Sequence, residues 1–209
     1  MKVTLYGATG TIGSRILNEL LSRGHSVTAV ARDISKLNPK KGLTAKTGNA
    51  EDPRSVAETA KGSDAVISAY SPGFETPQKL VDTVKSLIAG LKQAGVKRFL
   101  MVGGAASLEV APGVLVIDSP DFPAAWKPIA QAHIDALKVL RTADLDWTYF
   151  SPAALIAPGQ RTGNFRLGTN RLLADSKGVS QISAEDYAIA MVDELEKGRH
   201  IRERFTAAY

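Results

Sequence analysis

The chain has 209 residues, a formal net charge of +5 and no cysteine. That length suits one sizeable core rather than two independent domains, and the missing thiols exclude a disulfide framework, a cysteine nucleophile and a cysteine-based metal site. The three histidines are scattered without ligand spacing, and every apolar run is of strand length, so no metal, no membrane span and a cytoplasmic location are expected.

A short apolar run, Val3 to Tyr6, reads as a buried strand. It leads into Gly7-Ala8-Thr9-Gly10-Thr11-Ile12-Gly13 and then into a helical stretch, Ile12 to Ser22. A glycine-rich turn between a strand and a helix is a nucleotide-binding arrangement. Gly7 allows the sharp turn, Gly10 removes the side chain where backbone must approach a pyrophosphate, and Gly13 lets the helix pack close to the sheet. Thr9, Thr11 and Ile12 complete the cradle, in which helix N–H groups and the helix dipole compensate phosphate charge without a lysine. No Gly-Lys-Ser/Thr follows, which disfavours a nucleoside triphosphatase of the Walker type.

After a helix stop at Gly24, Ser26 to Ala31 reads as the second strand. It delivers Arg32 and Asp33 where a dinucleotide fold meets the adenosine ribose. The planar fork of Arg32 suits a 2′-phosphate and can stack on adenine, and Lys36 stands one turn further on. NADP(H) is therefore expected over NAD(H), with Asp33 still available to a 2′-hydroxyl.

Strands at Leu43 to Thr47, Ala65 to Ser68, Arg98 to Val102 and Asp146 to Phe150 then alternate with helices at Pro53 to Ala60, Pro77 to Ala94 and Ala124 to Thr142. Such alternation predicts an α/β fold of the Rossmann type, a doubly wound parallel sheet with helices on both faces. Asp52-Pro53 and Thr76-Pro77 read as helix caps followed by proline at the first helical position, and Gly95 as a second helix stop. Towards the end, Phe165 to Gly168 with Arg171 to Leu173 suggest a small hairpin, Ser183-Ala184-Glu185-Asp186 caps a helix to Glu196, and Ile201 to Thr206 adds a strand. The whole span 1–209 reads as one dinucleotide-binding domain in which 152–180 is a substrate-side insertion.

Ligands of such sheets bind outside the carboxyl ends of the strands. That rule adds Asn49, Ala50, Ser68, Ala69, Tyr70, Gly103, Ser151, Pro152 and Ala153 to the glycine loop and Arg32 as cofactor-binding candidates. Asn49 would hydrogen-bond adenine, and the small residues Ser68, Ala69 and Gly103-Gly104 would let backbone lie close to the cofactor. The loop from Leu108 to Pro123 forms a wall or lid, and Phe74, Phe122, Trp126 and Phe165 are candidates for an aromatic pocket around a flat substrate. Basic residues are dispersed, with only Lys40-Lys41 and Lys97-Arg98 adjacent and no aromatics between them, so no specific nucleic-acid partner is expected. A basic surface suits an anionic dinucleotide.

The glycine loop, Gly48-Asn49-Ala50-Glu51-Asp52, Asp64-Ala65-Val66-Ile67-Ser68, Val102-Gly103-Gly104-Ala105-Ala106-Ser107-Leu108 and Leu145-Asp146-Trp147-Thr148-Tyr149-Phe150-Ser151-Pro152 together resemble the atypical short-chain dehydrogenase/reductases. Within them the chain is most similar to the NADH-flavin reductase-like group, akin to biliverdin reductase B and the NmrA-like proteins. The resemblance implies a serine after the fifth strand and a Tyr-x-x-x-Lys on the next helix, where the tyrosine relays a proton. Ser107 matches the serine. The Tyr-x-x-x-Lys is missing, and Ala125 to His133 stands in its place.

What the resemblance then implies is hydride transfer that needs little proton chemistry, to a flavin, a quinone or a similar planar acceptor. His133 is the side chain nearby that could act as an acid at neutral pH. Two other readings remain: a regulator that binds NADP(H) without turnover, and, less well matched, a nucleotide-sugar epimerase or dehydratase. A monomer or homodimer is expected.

Overall fold

The chain's structure is a computed structural model that describes residues 1–209. Strand β1 (Lys2–Tyr6) leads into helix α1 (Thr11–Ser22), β2 (Ser26–Ala31), β3 (Leu43–Thr47), α2 (Pro53–Ala60), β4 (Ala65–Ser68), α3 (Lys79–Ala94) and β5 (Arg98–Val102). A hairpin of β6 (Glu109–Ala111) and β7 (Val114–Leu115) precedes α4 (Lys127–Arg141) and β8 (Asp146–Ser151). Then come β9 (Leu155–Ala157), β10 (Arg166–Gly168), β11 (Gln181–Ser183), α5 (Ala184–Lys197) and β12 (Glu203–Ala208).

The predicted parallel sheet is present, in the order β10-β12-β8-β5-β4-β1-β2-β3, and only β10 runs antiparallel. β1 pairs with both β2 and β4, so the strand order reverses there and opens a crevice at their carboxyl ends. Both faces of the central strands are buried, which is why they read as near-continuous apolar runs. Leu5, Ile67, Leu100, Phe150 and Phe205 face α1 and α5, whereas Tyr6, Val66, Phe99, Trp147 and Tyr149 face α2, α3 and α4.

Local chemistry accounts for several boundaries. Asp52 Oδ1 accepts the Arg54 N–H at 3.0 Å and caps α2, and Ser183 Oγ accepts the Asp186 N–H at 3.0 Å and caps α5. Gly95 closes α3 in the left-handed conformation, with φ of 71°.

Four expectations need correction. Helix α3 begins at Lys79 rather than Pro77, because Thr76 does not cap it: its hydroxyl donates to the Pro72 carbonyl, and a turn through Pro77 and Gln78 runs into the helix. The helix expected from Ala124 starts as a 3-10 turn, Ala124–Trp126, and becomes α-helical at Lys127. Arg166–Gly168 does not form a hairpin with 171–173; it pairs with Thr206–Ala208, and Arg171 bridges to Glu109 instead. The last strand begins at Glu203, since Arg202 sits at a positive φ of 59°. No helix is long and apolar enough to cross a membrane.

At the amino ends of the strands, Glu194 of α5 is buried and holds several elements together. It pairs with Arg98 Nη2 at 2.9 Å and His200 Nδ1 at 2.7 Å, and it accepts the backbone N–H groups of Arg199 and His200. Removing one partner of such a cluster leaves a buried charge uncompensated. Glu194→Ala is expected to cost about 3 kcal/mol in urea unfolding, while the folded fraction keeps its ligand affinity because the opposite rim is untouched.

Candidate functional site

The turn from β1 into α1 is built by backbones in contact. Gly7 adopts φ of 77°, and a Cβ there would lie 2.3 Å from the Ala69 carbonyl oxygen. A Cβ on Gly13 would lie 2.0 Å from the Gly7 carbonyl oxygen. Gly10 differs, since a Cβ there would meet only Gly7 O, at 3.4 Å. Two of the three glycines are thus demanded by the fold, and the middle one opens outward.

Helix α1 starts without a capping side chain and without an acidic residue in its first turn. Its first N–H to find a carbonyl is that of Ser14, bonded to Gly10 O at 2.9 Å. The amides of Thr11, Ile12 and Gly13 are left for an anion, in the positive end of the helix dipole.

Beside this mouth lies a cleft of about 240 Å³. It gathers Gly7, Thr9, Gly10, Arg32, Asn49, Ala50, Ala69 and Tyr70 from the predicted residues. Arg32 is exposed at its rim and takes part in none of the ion pairs. Asp33 turns away: its Oδ1 accepts the Ser35 N–H at 2.9 Å. Asn49 uses its side-chain oxygen on the Glu51 N–H, which leaves its NH2 group free to donate. Glu51 also lines the cleft and was not predicted; the Tyr70 hydroxyl donates to its Oε1 at 2.8 Å, joining the loops after β3 and β4. Burial and the neighbouring Glu51 carboxylate raise the Tyr70 pKa. The sequence signal for Glu51 is its place two residues after Asn49, inside the Gly48-Asn49-Ala50-Glu51-Asp52 segment that carries the resemblance.

Other predicted residues stand outside that cleft. The buried Ser68 hydroxyl accepts the Tyr70 N–H and shapes the loop. Ser151, Pro152 and Ala153 are buried at the end of β8, and Ser151 Oγ has no hydrogen-bond partner. Gly103 is small for a reason other than ligand approach: a Cβ there would lie 2.3 Å from the Tyr149 ring, just as one on Gly104 would lie 2.9 Å from His133 Cβ.

Tyr149 is the residue that sequence reasoning passed over. Its buried hydroxyl accepts the Gly104 N–H at 2.9 Å and donates to the His133 carbonyl at 3.0 Å, and burial raises its pKa. Loss of hydration pushes the His133 pKa down to about 4, so the imidazole is neutral at physiological pH and is not the acid expected there. Ser107 is held elsewhere, its Oγ and carbonyl both accepting from Arg204 Nη1 at 2.9 and 2.8 Å. The buried Arg204 also donates to Asn170 Oδ1 and so fastens two loops to β12. The aromatic pocket divides as well: Phe165 packs against the core on the α1 and α5 face, while Phe74 and Trp126 remain exposed.

A family model described as NAD(P)H-binding matches residues 7–197. The chain belongs to that NAD(P)H-binding family. Bacillus subtilis YwnB, an uncharacterized protein, is 40% identical over 99% of this chain and 97% of its own length. A Burkholderia pseudomallei structure, provisionally described as an exported protein, is 54% identical with a TM-score of 0.92 and full coverage of both chains. A Streptococcus pneumoniae structure provisionally named an NADH-flavin reductase is 37% identical with a TM-score of 0.89, covering 100% of this chain and 99% of that one. The NAD(P)H-binding family relates this chain to NAD(P)H-dependent reductases, in keeping with the resemblance carried by its motifs.

The three glycines separate fold from binding. Aspartate at position 10 would cap α1, so Gly10→Asp is expected to leave the urea midpoint unchanged or slightly higher while abolishing dinucleotide binding in a fluorescence titration. Gly13→Ala is expected to cost about 2 kcal/mol in the same unfolding experiment, because Gly7 must move.

Proposed function

We propose that this protein is a reductase that draws hydride from NADPH and delivers it to a flavin, a quinone or a similar planar acceptor. The observation that carries the reading is the bare N-terminus of α1 opening beside a cleft whose rim holds an unpaired Arg32. The Thr11, Ile12 and Gly13 amides fit a pyrophosphate, the Asn49 NH2 group fits an adenine, and the Arg32 fork fits a 2′-phosphate. Asp33 spends one carboxylate oxygen on the Ser35 N–H, while the Arg32 fork has no partner on the protein. When bound, the nicotinamide supplies a two-electron hydride; everything else is positioning by the chain.

The proton inventory supports the proposed acceptor class. The chain has no Tyr-x-x-x-Lys, lost hydration keeps His133 neutral, and burial raises the Tyr149 pKa. A flavin or quinone takes hydride and collects its proton from solvent, so neither needs an acid on the protein. The Streptococcus pneumoniae relative's name supports a flavin as the acceptor to test first. The same inventory favours a second reading, a regulator that binds NADP(H) and does not turn it over.

Mixing the protein with NADPH and then FMN, riboflavin or a small quinone separates the two. Loss of reduced-nicotinamide absorbance that depends on acceptor is the expected result; tight binding with no oxidation by any acceptor selects the regulator. Arg32→Ala is expected to weaken NADPH at least tenfold, about 1.4 kcal/mol, and to leave NADH within a few-fold. Equal losses for both cofactors would remove Arg32 from the 2′-phosphate assignment.

A further inference from the structure

Strands β4, β5 and β8 are parallel neighbours, so α3 and α4, which connect them, both start at the carboxyl rim of the sheet and pack side by side. The segments that enter these two helices therefore lie on neighbouring stretches of the same rim. Each carries a large aromatic side chain facing solvent: Phe74 is 65% exposed and Trp126 is 51% exposed. Neither is needed by the core, whose aromatic residues Tyr6, Phe99, Trp147 and Tyr149 on that face are all buried. Arg32 and Asn49 occupy the half of the rim over β2 and β3, so Phe74 and Trp126 stand over the other half, beyond the switch point between β1 and β4.

We infer that Phe74 and Trp126 form the acceptor seat, a pair of ring contacts that selects planar aromatic acceptors. The inference rests on the reductase reading above and names the residues that give it specificity. An exposed aromatic ring on the carboxyl rim offers a flat acceptor contact area at little conformational cost and orients it by stacking. Phe165, the other aromatic residue of the loops after β8, is excluded because it lies in a small recess with His200 and Phe205 on the α5 face. A half-buried Phe122 lies between Phe74 and Trp126 in sequence and is not required by the seat.

The chain contains only two tryptophans, and Trp147 is 5% exposed, which makes Trp126 a natural reporter. Titrating FMN into the protein saturated with oxidised NADP is expected to quench its emission saturably, and to quench Trp126→Phe far less. Phe74→Ala and Trp126→Ala are each expected to raise the acceptor KM about tenfold, as loss of a stacking contact does. Both should keep kcat, the NADPH dissociation constant and the urea midpoint near wild type, while Trp126→Phe restores the KM.

Turnover with KM unchanged in both alanine variants overturns the seat and leaves the reductase reading standing. Quenching of Trp126 without turnover of any acceptor supports the seat and overturns the reductase reading. Neither quenching nor turnover overturns both.

Discussion

The contact on which the site depends is that of three backbones, Gly13 on the Gly7 carbonyl and Gly7 on Ala69. It draws α1 down onto the junction of β1 and β4, and no side chain fits between them. The consequence is electrostatic as well as steric. With α1 seated that close, its first amides point out of the crevice at the place where the strand order reverses, with no capping side chain to satisfy them. Helices α2 and α5, by contrast, are closed by Asp52 and Ser183. A cap at Gly10 would stabilise α1 and fill the space proposed for the pyrophosphate, so on that reading stability is forgone at the binding site.

The two ends of the sheet divide the work. At the amino ends, Glu194, Arg98, His200 and Thr148 form a buried polar cluster in which every charged group has a partner. At the carboxyl ends, Arg32 is unpaired and Phe74 and Trp126 are exposed. Between them, stacked rings of Tyr187, Phe150 and Phe205, with centroids 3.9 and 4.0 Å apart, tie α5 to β8 and β12.

What was legible in the sequence is what depends on neighbours in the chain. Strands β1 to β5 and β8, the Asp52 and Ser183 caps and the Gly95 stop follow from local patterns, and the glycine loop from its place between a strand and a helix. Contacts across long separations were not legible. Arg166–Gly168 reads as half of a hairpin, yet its partner is Thr206–Ala208, some forty residues away. Gly103 looks like room for a ligand until Tyr149, forty-six residues on, is seen against it. Ser107 carries no sign of Arg204, and nothing near Tyr149 marks its hydroxyl as the pin between Gly104 and His133.

Those long-range contacts bear on chemistry more than on fold. Tyr149 has a hydroxyl that its buried setting keeps protonated; it accepts the Gly104 N–H, donates to the His133 carbonyl and lies 3.4 Å from His133 Nδ1. Arg204 is a buried cation without a carboxylate at bonding distance, held by Ser107 and Asn170. Gly104, Ser107 and Asn170 are thus held in place by Tyr149 and Arg204. On the proposed reductase reading, a reaction beside them draws its proton from water, which suits acceptors whose reduced form is stable before it is protonated. Rings that delocalise the incoming charge meet that condition, and an isolated carbonyl does not.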